Sequence, residues 1–195
     1  MTDEDLMRAV RDGDLPQLGV LFDRYHVPLF DFLSRMIGNA AAAEDLVQDV
    51  FVRILKYRAT YRDEGRFETW LFRIARNARA DYFRTRPRSE PLGGEALERP
   101  SPGAGPARQL EEERERQRLR CALLRLREDK RELIVLARYR GMKLDQIAAL
   151  LDVDVGTVKV RLHRAVRELR DIFLGLSDEA SSCDVKTSTR SLQTT

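Results

Sequence analysis

Cysteine and histidine are scarce in these 195 residues, which hold two of each: Cys121, Cys183, His26 and His163. The cysteines form no C-x-x-C and the histidines stand alone, so no zinc site or disulfide scaffold can be assembled from them. No metal and no cofactor is expected, and Cys121, which falls in a helical pattern, reads as an ordinary buried thiol. No run of about eighteen apolar residues occurs, and the N-terminus opens on Asp3, Glu4 and Asp5 instead of a basic-then-apolar signal. The expectation is a soluble, cytoplasmic protein without membrane insertion. An excess of one charge is also missing. Lys and Arg number 35 against 32 Asp and Glu, a net +3, so any nucleic-acid surface must come from local clustering. Nothing resembles a catalytic constellation, and no enzyme is expected.

Proline is rare except in one place. Five of the seven (Pro87, Pro91, Pro100, Pro102, Pro106) fall between Arg86 and Ala107, together with Gly93, Gly94, Gly103 and Gly105. Hydrophobic periodicity stops there, as in a flexible linker between two helical units. The stretch from Ser177 to Thr195, rich in Ser and Thr, reads as a disordered tail. The expected division is therefore 1–86, a linker over 87–108, a second unit over 109–176, and a tail over 177–195.

What remains is helical. A short helix is expected from about Asp3 to Asp12. A second follows Asp14 as cap, with Pro16 in its first turn, and carries Leu18, Leu21, Phe22, Tyr25, Leu29, Phe32, Leu33 and Met36. Pro28 should bend it and Gly38 should end it. A third, over Ala40–Tyr57, buries Ala43, Leu46, Val47, Val50, Phe51 and Ile54. A fourth, over Phe67–Arg84, buries Phe67, Trp70, Leu71, Ile74, Ala78 and Tyr82. Four such stripes close one small bundle, giving an all-α fold of two small helical domains.

Function is written most densely between Lys143 and Arg170. Leu144, Ile147, Ala148 and Leu151 share one helical face, and Val158, Leu162, Ala165 and Leu169 share another. Between them, Asp152 tolerates a left-handed backbone and Asp154 is placed to cap the next helix by accepting from the Thr157 amide. This is the pattern of a helix-turn-helix. Around the second helix, Lys159, Arg161, Arg164, Arg167 and Arg170 are basic, and Gly156, Val160 and His163 also lie off the apolar stripe. Such a helix suits a DNA major groove, with cations on phosphates and guanine edges. Val160 either meets a thymine methyl or is a lone exposed apolar residue.

Two further faces stand out. On helix three, Asp45, Gln48, Asp49, Val52 and Lys56 point away from the core. They form either a solubilising face with one stray valine or a docking surface for another protein's basic helices. On helix four the outward set is Phe72, Arg73, Arg76, Arg79, Ala80 and Phe83, extended by Arg84, Arg86 and Arg88. Arginines among aromatics can track a phosphate backbone while bases stack on rings. The bland alternative packs Phe72 and Phe83 on helix one or the linker.

Three stretches in this order resemble the extracytoplasmic-function class of bacterial RNA polymerase sigma factors, within the sigma-70 family. They are Ala43-Glu44-Asp45-Leu46-Val47-Gln48-Asp49-Val50-Phe51; Phe67-Glu68-Thr69-Trp70-Leu71-Phe72-Arg73-Ile74-Ala75-Arg76-Asn77; and Gln146-Ile147-Ala148 followed by Val155 to Ala165. The resemblance implies that the first unit is sigma region 2 and the second region 4. Helix three, with Asp45, Gln48, Asp49 and Val52, would dock on the β′ clamp helices of core polymerase. Helix four, with Phe72, Arg73, Arg76, Asn77, Arg79 and Phe83, and the loop from Arg58 to Glu68 would open and read the promoter −10 element. Thr157, Lys159, Val160, Arg161, His163, Arg164 and Arg167 would read the −35 element while region 4 touches the β flap. An anti-sigma factor is the implied inhibitor, in a stress or envelope response. Lys143 stands where the family commonly has a capping Ser or Thr, Asp152 where it commonly has Gly, and Val160 where serine is frequent.

Two rivals come from other classes. A free-standing regulator would bind a palindromic duplex without polymerase, and it needs no single-strand surface. A DNA-cutting enzyme would use Asp45 and Asp49, four apart on one face, to hold a metal ion, but no further ligand or nucleophile is evident beside them.

Overall fold

The computed structural model describes the backbone of residues 1–62, 65–85 and 106–189, and the side chains of these except 106–107 and 177–189. Among the described residues there are eight helices and no strand: α1 (Asp3–Arg11), α2 (Gln17–Ile37), α3 (Ala40–Tyr57), α4 (Phe67–Thr85), α5 (Pro106–Arg125), α6 (Glu128–Ile134), α7 (Leu144–Leu151) and α8 (Val155–Thr189). The chain is all-α, as its periodicities require.

Each of the early helices starts and stops for a local reason. Thr2 and Asp5 close a capping box on α1: the Thr2 hydroxyl accepts from the Asp5 amide at 3.1 Å, and the Asp5 carboxylate accepts from the Thr2 amide at 3.0 Å. Asn39 caps α3 by accepting from the Ala42 amide at 3.0 Å. The apolar stripe expected on α3 is fully buried. Helix α2 runs unbroken through Pro28 and ends at Gly38, whose φ of +77° is the left-handed conformation that glycine adopts without strain. Asp14 does not cap α2; its carboxylate accepts from the Gln17 side-chain amide at 3.0 Å. Glu4 reaches across from α1 to accept from the Phe67 amide at 3.0 Å, so one helix supplies the anion at the next one's N-terminus.

The two expected domains do not stand apart. One apolar core runs from Leu6, Leu29, Phe32 and Val50 through Leu71 and Phe72 into Leu133, Val135, Leu136, Met142, Ile147 and Leu150. A smaller cluster of Leu123, Leu126, Ile134 and Ala165 joins α5 and α6 to α8. Glycine is demanded twice at position 38. Besides its backbone angle, a Cβ there would stand 2.8 Å from Leu124 Cδ1 on α5.

After α6 the helix loosens into a π turn over Val135–Tyr139, in which the Arg140 amide donates to the Val135 carbonyl at 3.0 Å. The turn presents Tyr139 to α2, where the Arg35 guanidinium lies 4.4 Å from its ring centroid.

The ends of the second unit differ from expectation. Helix α5 begins at Pro106, ahead of Gln109. The backbone of α8 continues to Thr189, past the Ser177 at which disorder was expected, because no Gly or Pro interrupts residues 177–189. The linker segment 86–105 lies outside the described residues. Cys121 is exposed, not buried. The buried stripe of α5 is Ala122 and Leu123 with Leu119 beside it, and position 121 falls off that stripe.

Candidate polymerase and nucleic-acid interfaces

The helix-turn-helix forms as its residues dictate. Asp152 ends α7 at φ +55°, the one non-glycine residue in the left-handed region among those described. Asp154 accepts from the Thr157 amide at 2.7 Å and from its hydroxyl. The Thr157 hydroxyl and amide hold the Asp154 carboxyl below the ordinary aspartate range. At the start of α7, where Lys143 offers no capping oxygen, Gln146 Oε1 reaches back to accept from the Lys143 amide at 2.9 Å. Past the turn, Lys159, Val160, Arg161, His163, Arg164 and Arg167 are all exposed and Thr157 is half-buried, while Val158 and Ala165 face the core. A solvent-facing row and a packed row are cleanly separated on one helix.

On α3, Asp45 and Gln48 are exposed and Val52 is 61% exposed. Asp49 is tied: Arg53 Nε donates to it at 2.9 Å while Arg53 Nη1 donates to Asp81 of α4 at 2.7 Å. The Arg53 hydrogen bond holds the Asp81 carboxyl below its usual range. The face keeps its acids and its one apolar residue, with Asp49 oriented by the bundle itself.

Helix α4 departs from expectation. Phe72 does not project outward; it is wholly buried, packed edge-on against Phe32 with ring centroids 5.1 Å apart. Arg79 is only 4% exposed. Phe72 is taken up by α2 and by Arg140, while the arginines of α4 meet a second cover, α6 and α7. Arg73 Nη2 donates to the Ala149 carbonyl at 3.1 Å, and Arg76 Nη1 to the Leu150 carbonyl at 3.3 Å. These carbonyls end α7 and have no partner within it, so the guanidiniums meet the negative pole of that helix. Arg76 Nε also donates to Glu132 at 2.8 Å, and Arg79 pairs with Glu128 and lies 3.6 Å from Glu132. Asn77, Ala80 and Phe83 stay exposed.

The same junction holds residues that sequence reading passed over. Arg131 donates to the carbonyls of Met36 at 2.6 Å, Leu124 at 2.7 Å and Leu126 at 2.9 Å, bridging the end of α2 to the end of α5. Burial pushes its guanidinium below the ordinary arginine range, with Glu128 opposing and Arg79 reinforcing that shift. Arg140 donates to Glu68 at 3.2 Å and lies 5.3 Å from the Phe72 ring centroid. Beside the junction opens a cleft of about 490 Å³. Tyr61, Arg62, Arg66, Trp70 and Arg73 line it from the first half, and Asp145, Gln146 and Ala149 from the second.

Residues 21–89 match the family model for sigma-70 region 2 and residues 116–169 that for sigma-70 region 4. The RNA polymerase sigma factor CarQ of Myxococcus xanthus is 32% identical over 167 residues, covering 86% of this chain and 95% of the relative. The ECF (extracytoplasmic-function) RNA polymerase sigma-E factor of Escherichia coli K12 is likewise 32% identical, over 85% of this chain and 91% of the relative. This chain is an extracytoplasmic-function sigma factor. Among solved structures, CnrH in complex with the cytosolic domain of CnrY superimposes with a TM-score of 0.68 at 26% identity, covering 89% of this chain and 97% of that one. RpoE of Bartonella quintana, solved with the anti-sigma factor NepR, gives 0.62 at 26% identity, over 79% and 94%.

As a sigma factor the chain is a transcription initiation factor that directs RNA polymerase to promoters. The region 2 match over the N-terminal bundle sets aside the free-standing regulator. Of the two carboxylates a cleaving enzyme would use, Asp49 is paired with Arg53. Among the described residues no group of three or more His, Cys, Asp and Glu is placed to hold a metal ion, and no helix is long and apolar enough to cross a membrane.

Proposed function

We propose that this sigma factor docks on core RNA polymerase through α3, opens the −10 element with α4 and the loop before it, and reads the −35 duplex with α8. The observation that carries this division is the separation of three chemically different surfaces on one chain. The α3 face, with Asp45, Gln48, Asp49 and Val52, is acidic around one exposed valine, which suits basic helices such as those of a polymerase clamp. The α4 face and the cleft beside it combine arginines with the half-buried Trp70 and the exposed Phe83, a surface for bases leaving the stack. The α8 face is basic, regular and solvent-facing, with Lys159, Arg161, Arg164 and Arg167 for phosphates and guanine edges, and with Val160 and His163 between them.

Flipping a base requires a few kcal/mol per step. A small bundle recovers that through stacking and pocket contacts once polymerase holds the strands. Of the proposed −10 set, Arg73, Arg76, Asn77, Arg79 and Phe83 carry the contacts, while Phe72 supports them from the core. The protein acts in the cytoplasm, non-catalytically, and region 4 touches the β flap. An anti-sigma factor restrains it within a stress or envelope response, a reading supported by the complex of the Bartonella quintana relative with the anti-sigma factor NepR.

The test is reconstitution. Mixed with bacterial core polymerase and a promoter library, the chain should select a discrete set of start sites with shared −10 and −35 sequences. Initiation indistinguishable from core polymerase alone would refute the reading.

A further inference from the structure

We infer that Arg53 is a positioning residue that carries docking on α3 over to the strand-facing side of α4. When a partner's cation takes Asp49, Arg53 turns wholly to Asp81, and Arg84 is released to a strand phosphate. The inference rests on the docking and −10 roles proposed above, and it adds the link between them.

Four side chains alternate in charge from one surface to the other. Asp49 belongs to the proposed docking set, and its side chain is 41% exposed. Arg53, one turn further along α3, serves both helices: Nε donates to Asp49 at 2.9 Å and Nη1 to Asp81 Oδ2 at 2.7 Å. Asp81 has a second claimant, since its Oδ1 accepts from Arg84 Nη2 at 2.8 Å. Arg84 follows the exposed Phe83 on α4 and ends the row, with its side chain 77% exposed.

A guanidinium can fill both oxygens of a carboxylate through two parallel N–H bonds. Arg53 divides its donors between two acids, so it fills one oxygen of Asp81 and leaves the other to Arg84. Once cations of a docked partner claim Asp49, the Nε edge of Arg53 loses that acceptor. The nearest replacement is the second oxygen of Asp81, the one that holds Arg84. A cavity of about 330 Å³ bordered by Arg53, Tyr57, Asn77 and Asp81 gives the guanidinium room to turn. Exposed ion pairs are weak, so this competition tunes promoter opening and does not switch it on or off.

The link is tested first without DNA. Phenylglyoxal labels Arg84 in the full-length chain, and mass spectrometry of the modified peptide gives the rate. Pairing with Asp81 should slow labelling by up to about fivefold, the most an exposed pair allows. Asp81→Asn should therefore quicken it by that factor. Asp49→Asn, which withdraws the other partner of Arg53, should act in the same direction, and Arg53→Gln should cancel its effect. Helicity should stay unchanged throughout; if Arg53→Gln lowers it, the rates in Asp49→Asn and Asp81→Asn decide alone.

The consequence is read in the holoenzyme at saturating core polymerase, where docking affinity drops out. Arg84→Ala should lower open-complex formation and reduce its salt slope by about 0.7, the share of one phosphate on a single strand. Arg53→Gln should reproduce that loss, and Arg53→Gln/Asp81→Asn should restore opening, since no carboxylate then holds Arg84 back. A bridge that merely fastened α3 to α4 would leave the double variant as impaired as the single one.

Unchanged labelling in Asp49→Asn and Asp81→Asn, or no rescue by Asp81→Asn, would overturn the link. The DNA reading would survive that result as long as Phe83→Ala and Arg84→Ala impair opening. If neither of these two costs anything in opening, the −10 reading fails, and the inference with it.

Discussion

Gly38 offers a direct measure of whether the two halves touch in solution. Gly38→Ala perturbs two things at once. The left-handed backbone at φ +77° penalises any Cβ by about 1–2 kcal/mol, partly offset by about 0.4–1 kcal/mol because alanine restricts the unfolded chain. About 1 kcal/mol of destabilisation remains, and it belongs to the N-terminal bundle alone. The second effect crosses the junction: the new Cβ would stand 2.8 and 3.0 Å from the two methyls of Leu124. Overpacking of this kind costs about 1–3 kcal/mol, and the half-buried Leu124 can turn aside, which puts the value near the lower limit. Gly38→Ala should therefore destabilise by about 2 kcal/mol in the natural chain and by about 1 kcal/mol in a Leu124→Ala background, where the opposing methyls are gone. Urea unfolding of the four chains gives the coupling, expected near 1 kcal/mol. Strict additivity, within about 0.3–0.5 kcal/mol, would mean that Gly38 and Leu124 do not meet and would refute the closed arrangement.

Asp45→Arg with Asp49→Arg should abolish binding to core polymerase in a pull-down titration while leaving the melting midpoint nearly unchanged, because Arg53 keeps Asp81 as a partner; retained affinity would remove α3 from the docking role. Phe72→Ala should destabilise the fold by about 3–5 kcal/mol, as expected for a wholly buried ring. Phe83→Ala should leave stability intact and reduce permanganate reactivity of bubble thymines. Arg164→Ala should weaken −35 duplex binding by about 1–3 kcal/mol if it reads a guanine edge, measured against a duplex with that guanine replaced. Acid should loosen the recognition helix at its start. The Asp154 carboxyl is held below its usual range, so the stability from its cap is present above the unfolded value and fades as pH falls through the lower folded one. Asp154→Ala should abolish that component of the acid transition in a circular dichroism titration.

The sequence was most legible where one face of a helix meets one neighbour. Helix α3 has a single buried stripe, and its limits, Ala40 and Tyr57, and its core residues follow from periodicity. The helix-turn-helix was equally readable because Asp152 and Asp154 act on their own few residues. Helix α4 defeated the same reasoning. It is buried on two sides, by α2 and α3 and again by α6 and α7, so Phe72 and Arg79 fall outside any single stripe. The acids that meet Arg79, Glu128 and Glu132, lie far along the chain and look like ordinary solvated acids. No local signal separates a buried arginine that has found a distant carboxylate from an exposed one awaiting a phosphate. Arg131 shares this difficulty, since its acceptors are backbone carbonyls that leave no trace in composition.

The π turn at Val135–Tyr139 makes the junction dependent on chain length to a single residue. An i to i+5 bond holds one more residue than an α turn does, so removing any one residue there would restore a regular helix and rotate everything beyond it by about 100°. Arg140 would swing away from Glu68 and Phe72, and Tyr139 from Arg35, while the apolar composition stayed nearly the same. Substitutions within the turn that preserve size should thus be tolerated far better than a one-residue deletion. Shortening here should therefore disturb the packing of α7 and α8 on α6 together with the junction, while α1 to α3 keep their own core.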